Sequence, residues 1–226
     1  MDPKQAAAEK AVEFIQDGTI VGLGAGSAVG YMVGFLKLKV ENGLEVKLLT
    51  SSFTTRKLLQ EYNFIVQDTA AMAQIDQYFD GCDQFDHQLH ALKSGGGIHT
   101  REKILAEMAR EFILVGDESK YVEKFDVKFP LVIEVLQETL SFVPVRIQKH
   151  FPGIRTEIRM SNKKDGAVIT ENGNYLFDLW FREWPGLSEI NPILKQIPGI
   201  IETSLFYNIA HKAVIGGSEG VRVLYC

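Results

Sequence analysis

The chain has 226 residues, 46% of them apolar and 23% charged, enough for one large domain or one domain with a small appendage. A net charge of −5 leaves no basic surplus to neutralise phosphates. That argues against a nucleic-acid partner while permitting one local basic pocket for a small phosphorylated ligand. Two cysteines without a CxxC pattern, no signal-like N-terminus and no apolar run near the ~20 residues of a membrane span predict a cytoplasmic protein with no membrane contact.

Asp2 caps an expected first helix with Pro3 at its first position, and Ala7, Ala8, Val12 and Ile15 form its apolar stripe up to Asp17-Gly18. Thr19 to Leu23 reads as a buried parallel strand that breaks into Gly22-Leu-Gly24-Ala-Gly26-Ser27 before a helix from Ala28 to Val40. Strand, glycine turn and helix N-terminus form a setting for an anion, because glycine lets the backbone approach and the helix offers free N–H groups. A dinucleotide fingerprint fails on spacing, since Ser27 or Val29 falls where a third glycine is required, and no Gly-Lys-Ser/Thr follows. What remains is a pocket for one phosphate or a tight turn that binds nothing.

Val46 to Leu49 is the next strand, and Thr50-Ser51-Ser52 opens a helix through Tyr62, with Ser52 as its cap. Phe64 to Val66 and Ile75 to Phe79 are short strand candidates, Arg101 to Arg110 a helix, and Phe112 to Val115 a buried strand. The alternation predicts an α/β fold with a mainly parallel Rossmann-like sheet, helices on both faces and a site at the strands' carboxyl ends. Gly22, Thr50, Asp80 and Gly116 all fall at such ends.

The pattern changes after Lys128. Strands at 131–135, 154–160 and 175–181, helices at 139–150 and 187–196, and Asp-Gly and Asn-Gly turns predict an antiparallel α+β subdomain over 128–202. Residues 1–127 and 203–226 then form the main domain, with 213–215 and 221–224 returning to its sheet.

Residues 80–103 carry the chemistry: Asp80, Asp83, Asp86, Lys93, three glycines from Gly95 and the pair Glu102-Lys103. Spacing by three rather than two is wrong for a calcium loop, and Cys82, His87, His90 and His99 lack paired zinc-ligand spacing. Acid-base chemistry needs a carboxylate to take a carbon-bound proton and a cation or N–H groups for the developing oxyanion. Glu102 is the candidate base, Lys93 or the N–H groups of Gly95 to Gly97 the oxyanion donors, and Asp80 and Asp83 the groups for hydroxyl protons. Equally, an acid in a first helical turn is favoured by the helix dipole without any catalytic role, and that dipole lowers its pKa unless burial near other carboxylates offsets it.

Five blocks, Gly22-Leu-Gly-Ala-Gly-Ser27, Asp80-Gly-Cys-Asp83, Lys93-Ser-Gly-Gly-Gly97, Arg101-Glu102-Lys103 and Asp117-Glu-Ser-Lys120, together with Ser204-Leu-Phe206 and Ala213-Val-Ile-Gly216, resemble ribose-5-phosphate isomerase, type A, in order and spacing over nearly the whole chain. The resemblance implies aldose–ketose interconversion of ribose 5-phosphate and ribulose 5-phosphate in the pentose phosphate pathway, through an enediolate, without metal or organic cofactor. It implies that Glu102 moves the proton between C1 and C2, that Asp80 and Asp83 assist ring opening and hydroxyl proton transfer, and that Lys93 stabilises the enediolate. Gly24, Ala25, Gly26, Ser27, Ala28 and Lys120 would hold the substrate near its phosphate, with Gly81, Cys82, Ser94, Gly95 and Gly96 completing its contacts. It also implies a homodimer or homotetramer. The family usually has threonine where this chain has Ala25 and Ala28, glycine at Ser94 and often an acid at Gln84. Missing hydroxyl donors predict weakened substrate affinity or a shifted substrate preference, with the proton-transfer residues intact. The rival expectations are a sugar-phosphate-binding or regulatory protein on the same fold, and acyl or CoA transfer with Glu102 as nucleophile.

Overall fold

In the computed structural model, which describes residues 2–226, the main-chain course follows the strand–helix alternation closely. Helix α1 spans Pro3–Val12, with the Asp2 side chain accepting from Lys4 N, and Ile15 stays buried beyond its end. Strand β1 (Thr19–Leu23), helix α2 (Ser27–Glu41), strand β2 (Val46–Thr50), helix α3 (Phe53–Glu61) and strand β3 (Ile75–Asp80) follow. Next come the short strands β4 (Gln84–Phe85) and β5 (Ala91–Leu92), helix α4 (His99–Met108) and strand β6 (Ala109–Asp117). The remaining elements are β7 (Leu131–Val135), α5 (Phe142–His150), β8 (Arg155–Ile158), β9 (Tyr175–Trp180), α6 (Leu187–Lys195), β10 (Ile200–Thr203), β11 (Leu205–Phe206), β12 (Lys212–Gly217) and β13 (Gly220–Tyr225).

The large sheet has the order β13-β12-β6-β3-β1-β2; its four pairings from β12 to β2 are parallel, and only edge strand β13 runs antiparallel. Successive residues of a strand point to opposite faces, so the sheet has two cores. Phe79, Ile113 and Val115 pack with α1, α2 and α3 on one face. Tyr78, Phe112 and Leu114 pack on the other with Leu105 and Ala106 of α4. A separate antiparallel sheet, β10-β7-β9-β8, packs Leu131, Ile133, Phe177 and Leu179 against α5 and α6. The α/β expectation with a smaller antiparallel unit therefore holds.

Several local expectations do not. Phe64–Val66 forms no strand; only Val66 makes an isolated parallel bridge, to Leu48. The helix expected from Thr139 begins at Phe142, because Gln137–Thr139 closes a 3-10 turn first. The strand expected over 154–160 shortens to Arg155–Ile158. The sheet β11-β5-β4 has no counterpart in the sequence reading, since two-residue strands carry no periodicity to detect. No helix is long and apolar enough to cross a membrane among the described residues.

Candidate active site

The glycine turn is built around Asp80. Gly24 N donates to Phe79 O at 2.8 Å, extending the β1–β3 pairing by one residue. A Cβ on Gly24 would stand 2.0 Å from Asp80 Cγ, so only glycine lets the carboxylate sit there. Gly26, at φ 99°, then turns the chain into α2 and leaves that helix start without a side-chain cap. The N–H groups of Ser27 and Ala28, residues that line the cleft, therefore have no intrahelical acceptors. Ser52 accepts from Thr55 N and caps α3, while Thr55 Oγ1 donates to Gly24 O at 2.7 Å. The hydroxyls at 51 and 52 serve the frame, not the cleft.

Asp80 ends β3 fully buried. Its Oδ1 accepts from Ala25 N (3.0 Å) and Gly81 N (2.7 Å), and its Oδ2 from Tyr78 Oη (2.7 Å). Lys93 Nζ lies 2.9 Å from the same Oδ2, donates to Gly81 O and stands 3.4 Å from Glu102 Oε1. Asp83 Oδ2 accepts from Ser94 N (2.5 Å) and Gly95 N (3.0 Å), so the Gly95 N–H, expected as an oxyanion donor, is committed to Asp83.

Glu102 lies in the first turn of α4 and is buried. Burial, then the Asp80 charge, push its pKa up to about 8 against the opposing pull of Lys93. Desolvation thus outweighs the helix dipole, giving a base poised near neutrality. Burial by itself would lower the Lys93 pKa, but the Asp80 and Glu102 carboxylates more than offset it, and Lys93 is held as a cation. Burial pushes the Cys82 thiol up to about 12, so it stays protonated and is no nucleophile at neutral pH.

These groups face a cavity of about 280 Å³ lined by Ala25, Gly26, Ser27, Ala28, Gly81, Cys82, Asp83, Lys93, Gly95, Gly96, Glu102 and Lys120. Three expected site residues are not in that lining. Gly24 and Asp80 stand behind it, and Ser94 turns its hydroxyl to Pro130 O. Lys4, Val115 and Gly116 also line it. Lys4 escaped the sequence reading because nothing local marks it; α1 packs across β6 and β12 and carries it to the strands' carboxyl ends, 3.6 Å from Asp117 Oδ2. Among the described residues no three His, Cys, Asp or Glu side chains converge to hold a metal ion, and Cys82, His87, His90 and His99 form no such group.

A family model, Ribose 5-phosphate isomerase A (phosphoriboisomerase A), matches residues 47–220. The chain belongs to the ribose-5-phosphate isomerase A family. It is 39% identical to a ribose-5-phosphate isomerase A of Methanothermobacter thermautotrophicus, over 99% of this chain and 98% of that one. It superposes with a TM-score of 0.92 on a ribose 5-phosphate isomerase A from Methanocaldococcus jannaschii at 32% identity, covering 100% and 99% of the two chains. A D-ribose-5-phosphate isomerase solved in complex with phospho-erythronic acid is similar too, with a TM-score of 0.92, 32% identity and coverage of 100% and 98%. The family match at 47–220 contains Asp80, Asp83, Lys93, Glu102 and Lys120, whereas the turn at Gly22–Ala28 precedes it.

Proposed function

We propose that this chain interconverts D-ribose 5-phosphate and D-ribulose 5-phosphate, with Glu102 as the base that carries the proton. The observation behind this is one buried carboxyl group of pKa about 8, facing a 280 Å³ cavity and 3.4 Å from an ammonium group. In the open-chain aldose, ionised Glu102 takes the C2 proton, and the electron pair moves into a C1–C2 double bond. The aldehyde oxygen becomes an enediolate oxygen, which Lys93 stabilises. Glu102 then returns its proton to C1, while the O2 proton passes to O1 and leaves a ketone at C2. Electrons stay within the sugar, so the reaction asks for no cofactor.

The hydroxyl transfer falls to Asp83 rather than Asp80. Asp83 lines the cavity and uses Oδ2 for its two backbone bonds, whereas both oxygens of Asp80 are committed. Asp80 acts by holding Lys93 and the glycine turn in place. The phosphate sits at the other end, between the N-terminus of α2 at Ser27 and Ala28 and the ammonium groups of Lys4 and Lys120, which share the cavity lining.

The same proposal divides the chain into a catalytic unit of residues 1–127 and 203–226 and a smaller unit of 128–202. The smaller unit carries the contact of a homodimer or homotetramer; it exposes Phe142, Val145, Met160 and Ile169. The location is the cytoplasm. Incubation with ribose 5-phosphate tests the function: ribulose 5-phosphate forms, and C2 exchanges its hydrogen with solvent. Thermal stabilisation without product would instead mark a sugar-phosphate-binding relative.

A further inference from the structure

The loop that follows Lys93 is held from two sides by opposite charges. On the inner side the N–H groups of Ser94 and Gly95 both donate to Asp83 Oδ2. On the outer side Arg159, just beyond β8, reaches across from the smaller sheet. Its Nη2 donates to Ser94 O at 2.9 Å and its Nη1 to Gly95 O at 3.1 Å. Asp178 of β9 fixes the guanidinium in turn, accepting from Nε at 3.0 Å and from Nη2 at 2.6 Å. Both side chains of that pair are largely shielded, at 18% and 17% exposure, so the contact is not a solvent-screened surface pair.

The chemistry of the contact is specific. A planar guanidinium holds two carbonyls and a carboxylate in one rigid fork, whereas an ammonium acts as a point charge on a flexible stem. Ser94 and Gly95 are followed by Gly96 and Gly97, so the loop itself supplies little stiffness. Without Arg159 the Gly95 carbonyl loses this partner, and the Ser94–Gly95 peptide unit is held by its N–H bond to Asp83 alone. Lys93, the residue immediately before them, is the group that loses its aim.

We infer that Arg159 is a positioning residue for the isomerisation: clamped by Asp178, it locks the Ser94 and Gly95 carbonyls and so holds the Lys93 ammonium against Glu102. This rests on the proton-transfer role of Glu102 given above. Charged groups facing Glu102 are Asp80, Asp83 and Lys93, and the clamp governs the position of Lys93 through the chain and of Asp83 through the shared loop. A clamp that merely docked the two sheets would change stability and leave the acid limb of the rate profile where it was.

The test is steady-state kinetics from pH 5 to 10 on Arg159→Ala and Arg159→Lys beside the wild type. For Arg159→Ala, kcat falls about a hundredfold, as a misplacement of about 1 Å would cause. KM stays within about threefold, and the limb of kcat/KM moves to higher pH because Glu102 loses its cation. Arg159→Lys keeps a charge beside Asp178 and lies between the two; if Arg159→Ala does not fold, the limb of Arg159→Lys decides. An unmoved limb, or a change confined to KM, overturns the inference while leaving the proposed reaction intact. A wild-type protein that does not isomerise ribose 5-phosphate overturns the reaction itself, and the inference with it.

Discussion

Lys93 Nζ lies 3.4 Å from Glu102 Oε1 while its closer ion pair, at 2.9 Å, is with Asp80. One cation is therefore shared unequally between two buried carboxylates. The nearer one holds it in place, and the farther one is left with a pKa near 8. Burial raises the proton affinity of Glu102 most, and this sharing of one cation adjusts it further.

Replacing Glu102 with Gln removes the proton carrier and keeps the shape. Turnover falls by about 10²–10⁴, the usual worth of a general base, with KM changed by less than about threefold. Retained turnover in a coupled assay would sink the assignment.

The same substitution has a pH signature in stability. The folded-state pKa of Glu102 is raised from 4.5 to about 8, so the native state keeps a proton that the unfolded chain releases. That contribution is full below about pH 4.5 and is lost as pH rises towards 8, by at most ~1.4 kcal/mol per unit. Glu102→Gln cannot titrate, so the wild type loses stability relative to it across this window and the difference levels off above. Denaturant melts at pH 5, 6, 7 and 8.5 measure this directly. A pH-independent difference contradicts a raised pKa.

Substitutions on either side of the shared cation move the acid limb of kcat/KM in opposite directions. Lys93→Met removes the charge that lowers the Glu102 pKa, so the limb shifts to higher pH and activity falls about a hundredfold or more. Asp80→Asn removes a charge that raises it, so the limb shifts to lower pH. Stability drops by about 3 kcal/mol as the closer ion pair is broken. Shifts of the same sign in the two variants would rule out the sharing.

Gly24→Ala tests why the turn is glycine. Its added methyl would lie 2.0 Å from Asp80 Cγ, with backbone and a buried ion pair behind it. A loss of about 1–3 kcal/mol is expected in thermal or denaturant unfolding. A variant as stable as the wild type would show that the Asp80 pocket yields freely.

Ala25 lines the cavity, and the family resemblance leads to the expectation of a threonine there. Ala25→Thr restores a hydroxyl donor to the phosphate end and should lower KM roughly ten- to a hundredfold, the worth of one hydrogen bond to a charged ligand. Steady-state kinetics with ribose 5-phosphate settle it; an unchanged KM removes the explanation for weakened affinity.

The parallel sheet, the glycine turn and the polar stretch from Asp80 to Glu102 were legible because each is written in neighbouring residues. Buried strands show as short apolar runs, helix starts as Asp2 and Ser52, and the turn as closely spaced glycines. The two-residue strands at Gln84–Phe85, Ala91–Leu92 and Leu205–Phe206 were not, since pairing at that length comes from tertiary contact and carries no pattern. The 280 Å³ cavity brings Lys4 and Lys120 to one place, and no spacing rule relates residues 116 positions apart that meet only because α1 lies across β6 and β12.

By itself, then, the sequence determined the fold class, the family resemblance and the identity of the candidate base, because these depend on residue type and local order. Only the tertiary structure decided what surrounds each acid. Asp80 and Asp83 look interchangeable along the chain, yet one is buried and spent on Ala25, Gly81, Tyr78 and Lys93, while the other keeps an edge on the cavity. Likewise the pKa of Glu102 depends on desolvation and on the distances to two neighbours, and the clamp on Lys93 comes from Arg159, 66 positions farther along the chain. Charge interactions act through space and dielectric rather than along the backbone, and those are properties of the folded chain alone.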